Sequence, residues 1–86
     1  MKRKNIADFV RAALEEQMQM DLSNVGLDDD LGDTIGLDSL GKLELLVVVE
    51  DKFDITFLEA STESASTINA MIDMTLAELA RQNEAA

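Results

Sequence analysis

Ser39 stands at a junction, where a stretch rich in glycine and aspartate gives way to the mostly apolar run Leu43–Val49, and Asp38 and Leu40 flank it. A serine hydroxyl can act as a nucleophile, a helix cap or an acceptor for a covalent group. The nucleophilic role needs a base to take the proton and donors to stabilise an oxyanion, and the corresponding turn reads G-x-S-x-G. The stretch Gly36-Leu37-Asp38-Ser39-Leu40-Gly41 has one residue too many before the serine, and the chain has no histidine. Hydrolase chemistry of the Ser–His type is excluded on both counts.

Asp28, Asp29, Asp30 and Asp33 form a second cluster with possible chemistry. A calcium loop reads D-x-[DN]-x-[DN]-G and closes with a bidentate glutamate. Counted from Asp28, the third ligand position is Gly32, the glycine position is Asp33 and the closing position is Ser39. The pattern fails, and only weak adventitious divalent binding is expected of these carboxylates. With neither histidine nor cysteine, the commonest general base and the thiolate are both absent from this sequence. The expectation is no catalytic residue, no metal site and no enzyme activity.

The elements that place Ser39 can be read from periodicity. Ile6, Phe9, Val10, Ala13, Leu14 and Met18 recur at three and four residues, which predicts a helix over about 4–19 with Asp8, Arg11, Glu15 and Glu16 on its wet side. Residues 21–37 carry three of the four glycines and no sustained period. They predict a loop, and one so long must be pinned by Val25, Leu27, Leu31 and Ile35 or have a function. The segment "LELLVVV" suits a strand or a helix. Its length and flanks favour a helix at about 39–53, started by Asp38 or Ser39, with Leu40, Leu43, Val47 and Glu50 on one stripe and Leu46, Val49 and Phe53 on the next.

Beyond it, "DITFLEASTESAS" allows a short helix near 58–63. Ser66 or Thr67 can cap a last helix with Ile68, Met71, Ile72, Leu76 and Leu79 inward. Residues from about 80 to 86 are expected to fray. These elements predict an all-α protein: a small four-helix bundle, with three long helices, one short third helix and a long loop between the first two, forming one domain over residues 1–86.

The chain has 86 residues, 47% of them hydrophobic, with 7 basic against 18 acidic side chains and a formal net charge of −11. Residues 21–63 hold twelve of the acids and only Lys42 and Lys52 as bases. Such a surface repels nucleic-acid backbones and steers proteins with Lys and Arg patches toward it. No stretch approaches the ~20 apolar residues of a membrane-spanning helix, and "MKRKN" leads into no apolar signal segment. A cytoplasmic protein is expected, without membrane insertion and as a monomer.

From Phe9 to Leu79 the sequence resembles the acyl carrier protein family. The resemblance is most specific through "DDDLGDTIGLDSLGKLELLVVVEDKFDI", where "DSL" is joined by "DDDL" before it, "LELL" after it and "EDKFDI" at the helix end. It implies that Ser39 receives a 4′-phosphopantetheine arm from coenzyme A through a phosphopantetheinyl transferase, with Asp38 and Leu40 beside it. The thiol of the arm carries cargo as a thioester, so the reactive sulfur arrives with the prosthetic group. It also implies that Glu44, Val47, Glu50 and Asp51 form the face that docks to basic patches on loading and synthase enzymes. Leu46, Phe53, Ile68 and Ile72 are expected in the core.

Two departures bear on the pathway. Fatty-acid carriers usually place an acidic residue soon after "DSL", whereas this chain has Gly41-Lys42, and "FDITFLEA" lacks the proline common after this segment. Gly41 with "FDIT" is similar to D-alanyl carriers. The expectation is an acyl carrier for fatty-acid-like or polyketide biosynthesis; the alternatives are an aminoacyl carrier, of D-alanyl or nonribosomal-peptide type, and more remotely an acidic helical interaction module.

Overall fold

The computed structural model describes residues 2–57 and 65–85. Among these residues four helices follow one another: α1 (Arg3–Met18), α2 (Leu31–Ile35), α3 (Ser39–Phe53) and α4 (Ile68–Ala85). Helices α1 and α3 begin and end within one residue of the ranges that periodicity predicts. The body measures 38 × 23 × 20 Å.

Helix α1 packs against both α3 and α4. Its stripe of Ile6, Val10 and Leu14 meets Leu45, Leu46 and Val49 of α3 and Ile68, Met71 and Ile72 of α4 in one buried cluster. Phe9 and Phe53 close one edge of it with an edge-to-face contact, ring centroids 5.6 Å apart and planes at 83°. Thr75 is the one polar residue among the fully buried ones described, and its hydroxyl donates to the Met71 carbonyl at 2.7 Å. A helical threonine can lose its hydroxyl to the preceding turn in this way, so burial leaves no orphaned donor.

The inter-helix segment departs from the sequence expectation. It is not a loop throughout, because Asp30 accepts the Asp33 N–H at 3.0 Å and starts α2. The pins also differ. Leu22, Leu31 and Leu37 are buried, Val25 and Ile35 are half-buried, and Leu27 is exposed. Hydrogen bonds do the rest: Arg11 donates to the carbonyls of Leu22 and Val25 at 2.6 and 2.7 Å, the Leu31 N–H reaches the Ser66 carbonyl, and the Asn69 N–H reaches the Leu27 carbonyl. Backbone groups that sequence patterns do not show thus hold this segment between α1 and the start of α4.

Three further expectations are corrected or placed. The stripe Leu40, Leu43 and Val47 stays outside the core, while Leu45, left off both stripes, is buried. Helix α3 is apolar nearly all round, and only the packing partner decides which side goes in. The expected short helix near 58–63 lies outside the described residues, among which α2 is the short helix. Helix α4, whose end from about 80 is the stretch expected to fray, runs to Ala85. Arg81 pairs with Glu78 one turn back, and Gln82 donates to the Asp54 carbonyl at the end of α3.

Candidate functional site

The approach to Ser39 is built from three consecutive residues with different tasks. Gly36 ends α2 with φ +72°, a left-handed conformation that glycine adopts without a side-chain penalty. Leu37 follows, buried, with its N–H on the Leu31 carbonyl at 3.1 Å. Asp38 is extended (φ −88°, ψ −179°) and caps α3, its Oδ1 accepting the Gly41 N–H at 2.7 Å.

Of the two caps the sequence allows at this helix start, Asp38 is therefore the one used. Ser39 occupies the first position of α3, is exposed, and its hydroxyl makes no hydrogen bond among the described residues. The N–H groups of Ser39 and Leu40 are likewise unpaired there, as first-turn amides are. A negatively charged group attached at this hydroxyl would meet free donors and the positive end of the helix dipole.

Leu40, at 64% exposure, opens an apolar face that continues one and two turns on with Leu43 and Val47, the latter 54% exposed. Glu44 and Asp51 lie on the same face and are exposed. Glu50 differs from them. It is half-buried, and its Oε2 accepts the Phe57 N–H at 2.8 Å, so this carboxylate ties the chain after α3 back to the helix.

The aspartates of the inter-helix segment also have structural tasks. Asp28 Oδ1 accepts from the Asn69 side chain at 2.7 Å, Asp29 Oδ2 accepts the Gly26 N–H at 2.7 Å, and Asp30 caps α2. Ser23 plays the donor to Asp21, and its N–H holds that carboxyl below its ordinary pKa.

Gln17 is a contributor that sequence reasoning missed, and Gly41, noted there only as a departure after the motif, has a packing role. Gln17 Nε2, near the end of α1, donates to the Gly41 carbonyl at 2.9 Å. A Cβ on Gly41 would lie only 2.7 Å from Leu37 Cδ1. A side chain here would make Leu37 shift against α1 and the first turn of α3, and no periodicity signals this close fit. A groove of about 250 Å³ opens beside Ser39, bordered by Gln17, Met18, Leu37, Asp38, Leu40 and Gly41. Among the described residues no helix is long and apolar enough to cross a membrane.

The family described as "Phosphopantetheine attachment site" matches residues 8–81. The chain is 32% identical over 72 residues to an acyl carrier protein of Exiguobacterium sibiricum, covering 84% of this chain and 91% of that one. It is 28% identical over 76 residues to an acyl carrier protein of Cyanidioschyzon merolae, with 88% and 84% covered. An acyl carrier protein of Onion yellows phytoplasma is 32% identical over 67 residues, covering 78% of this chain and 88% of its own.

Proposed function

This chain belongs to the phosphopantetheine attachment-site family, and on that premise we propose that Ser39 is the residue that takes the 4′-phosphopantetheine arm. Its function is that of an acyl carrier protein, a carrier and not a catalyst. The observation that supports Ser39 most directly is its hydroxyl, exposed at the first position of α3 and relieved of capping by Asp38.

The residues fit the group. The Ser39 oxygen forms the new bond to phosphorus, loses its proton to the transferase, and releases the adenosine bisphosphate half of coenzyme A. The free N–H groups of Ser39 and Leu40 face a phosphodiester with donors, which favours its charge at a helix start. Asp38 keeps its own negative charge turned toward the Gly41 N–H. The bound arm supplies a thiol that holds cargo as a thioester.

The family implies a phosphopantetheinyl transferase and synthase enzymes as partners. Leu40, Leu43, Glu44, Val47 and Asp51 form the surface assigned to them, an apolar ridge with carboxylates for basic patches. Glu50 contributes charge to that surface while one of its oxygens holds Phe57. Residues 1–86 act as one carrier unit, in the cytoplasm, on acyl intermediates of fatty-acid-like or polyketide synthesis.

The test is intact mass after incubation with coenzyme A, magnesium and a broad-specificity transferase, with Ser39→Ala beside the parent. One added phosphopantetheine that disappears in the variant is the expected result; none on the folded parent would overturn the assignment. Loading the modified protein with acyl donors and, separately, with amino-acid-adenylating enzymes then reads the cargo class, and exclusive amino-acid loading would replace the acyl reading with an aminoacyl one.

A further inference from the structure

Resting on Ser39 as the attachment point, we infer that Lys42 is the counter-ion of the phosphodiester that joins the arm to this chain. Residues 21–63 hold twelve acids and two bases, Lys42 and Lys52. Lys52 stands in the last turn of α3, where the helix dipole favours a cation, and its Nζ lies 5.6 Å from the centroid of the Phe9 ring. Lys42 has no such setting. Its ammonium makes no hydrogen bond or ion pair among the described residues.

Lys42 precedes Leu45, Leu46 and Val49 by three, four and seven residues, and all three are buried. Position 42 therefore continues the inward stripe of α3 back to the helix start. Lys42 is itself half-buried, whereas Leu43 and Glu44 after it are exposed. A lysine on such a stripe lays its alkyl stem along apolar neighbours and carries its charge to the nearest water. Helical side chains lean toward the helix start, which here is the turn of Ser39. Residues three apart on a helix are surface neighbours, with Cβ atoms about 5–6 Å from each other, so the ammonium and the Ser39 hydroxyl serve the same turn.

In the unmodified chain this is an unfavourable place for a cation. The first turn of α3 carries no acidic residue, and the positive end of the dipole opposes further positive charge. Asp38, one turn back, has the spacing of an i,i+4 partner, yet it forms no ion pair with Lys42; its Oδ1 accepts the Gly41 N–H at 2.7 Å. A phosphodiester on Ser39 supplies the missing anion. It adds one negative charge, next to Asp38, to a chain of formal charge −11, and the Lys42 ammonium offsets the repulsion as a point charge on a phosphate oxygen.

The experiment compares the apo and modified full chain for the parent, for Lys42→Met, which keeps an apolar stem without the charge, and for Lys42→Arg, with intact mass verifying modification. The Cε and Hε signals of Lys42 are expected to shift on modification of the parent while those of Lys52 stay. The ³¹P signal of the arm should differ between the parent and Lys42→Met and return toward the parent position in Lys42→Arg. In urea unfolding, modification should favour the folded state about 1.5- to 5-fold more in the parent than in Lys42→Met, the range of an exposed ion pair, and added salt should shrink that gap. A lysine with only a packing role would move the apo and modified forms alike. No mass gain on the parent would overturn the attachment reading and this inference with it. A modified parent with unshifted Lys42 signals, and an effect of modification on unfolding equal to that in Lys42→Met, would overturn the counter-ion alone.

Discussion

The Asp38 carboxylate accepts the Gly41 N–H at 2.7 Å, and this bond spans Ser39 and leaves its hydroxyl with no structural task. A serine that capped the helix itself would have to give up that bond to be modified. Here the cap and the modifiable hydroxyl are separate residues, so α3 does not lose its cap when the arm is added.

Ser39→Ala should therefore change unfolding stability by no more than about 0.5 kcal/mol, as surface substitutions do, while abolishing addition of phosphopantetheine. Asp38→Ala should cost about 1 kcal/mol through loss of the cap. Urea unfolding of both variants, paired with intact mass, separates the two roles; a Ser39→Ala loss as large as that of Asp38→Ala would show that the serine shares the cap.

Gly36→Ala tests backbone conformation alone. An added Cβ meets nothing within 4 Å, but φ is +72°, so the expected loss is about 1–2 kcal/mol of conformational energy. An unchanged urea midpoint would mean that the turn into Leu37 relaxes without strain.

Glu44 and Glu50 should separate by readout. Glu50→Ala removes the acceptor of the Phe57 N–H, with a cost of about 1–3 kcal/mol. Glu44→Lys, at an exposed position, should leave unfolding nearly unchanged and weaken association with the transferase, and added salt should shrink the difference between variant and parent. Equal effects of the two substitutions on stability would contradict these assignments.

Asp21 gives a pH prediction. The Ser23 N–H holds its carboxyl below the ordinary value. A group depressed in the folded state binds fewer protons there than in the unfolded chain, so its contribution is present above the unfolded pKa and is lost as pH falls through the folded one. Titration followed at the Asp21 carboxyl carbon should show the lower midpoint, and Ser23→Pro, which removes the N–H, should return it toward the ordinary value.

The sequence by itself determined the helical periodicity of α1, α3 and α4, the short serine-centred motif with no histidine or cysteine around it, and the acidic balance. These follow from residue types and from spacings within a turn or two of helix. Thr67, one of the two candidate caps of the last helix, does accept the Ala70 N–H at 3.0 Å, because capping too is a local matter.

Only the tertiary structure decided which side of the apolar α3 goes inward, sending Leu45 in and Leu43 out. The choice depends on where α1 and α4 lie, and a helix with apolar residues nearly all round does not encode it locally. Packing likewise turned Gly41 from a departure in a motif into the point where Leu37 and Gln17 close on α3. It gave Glu50 a backbone donor seven residues away. Such contacts join residues with no fixed spacing in sequence, and backbone groups, which every residue type shares, supply one partner of both hydrogen bonds.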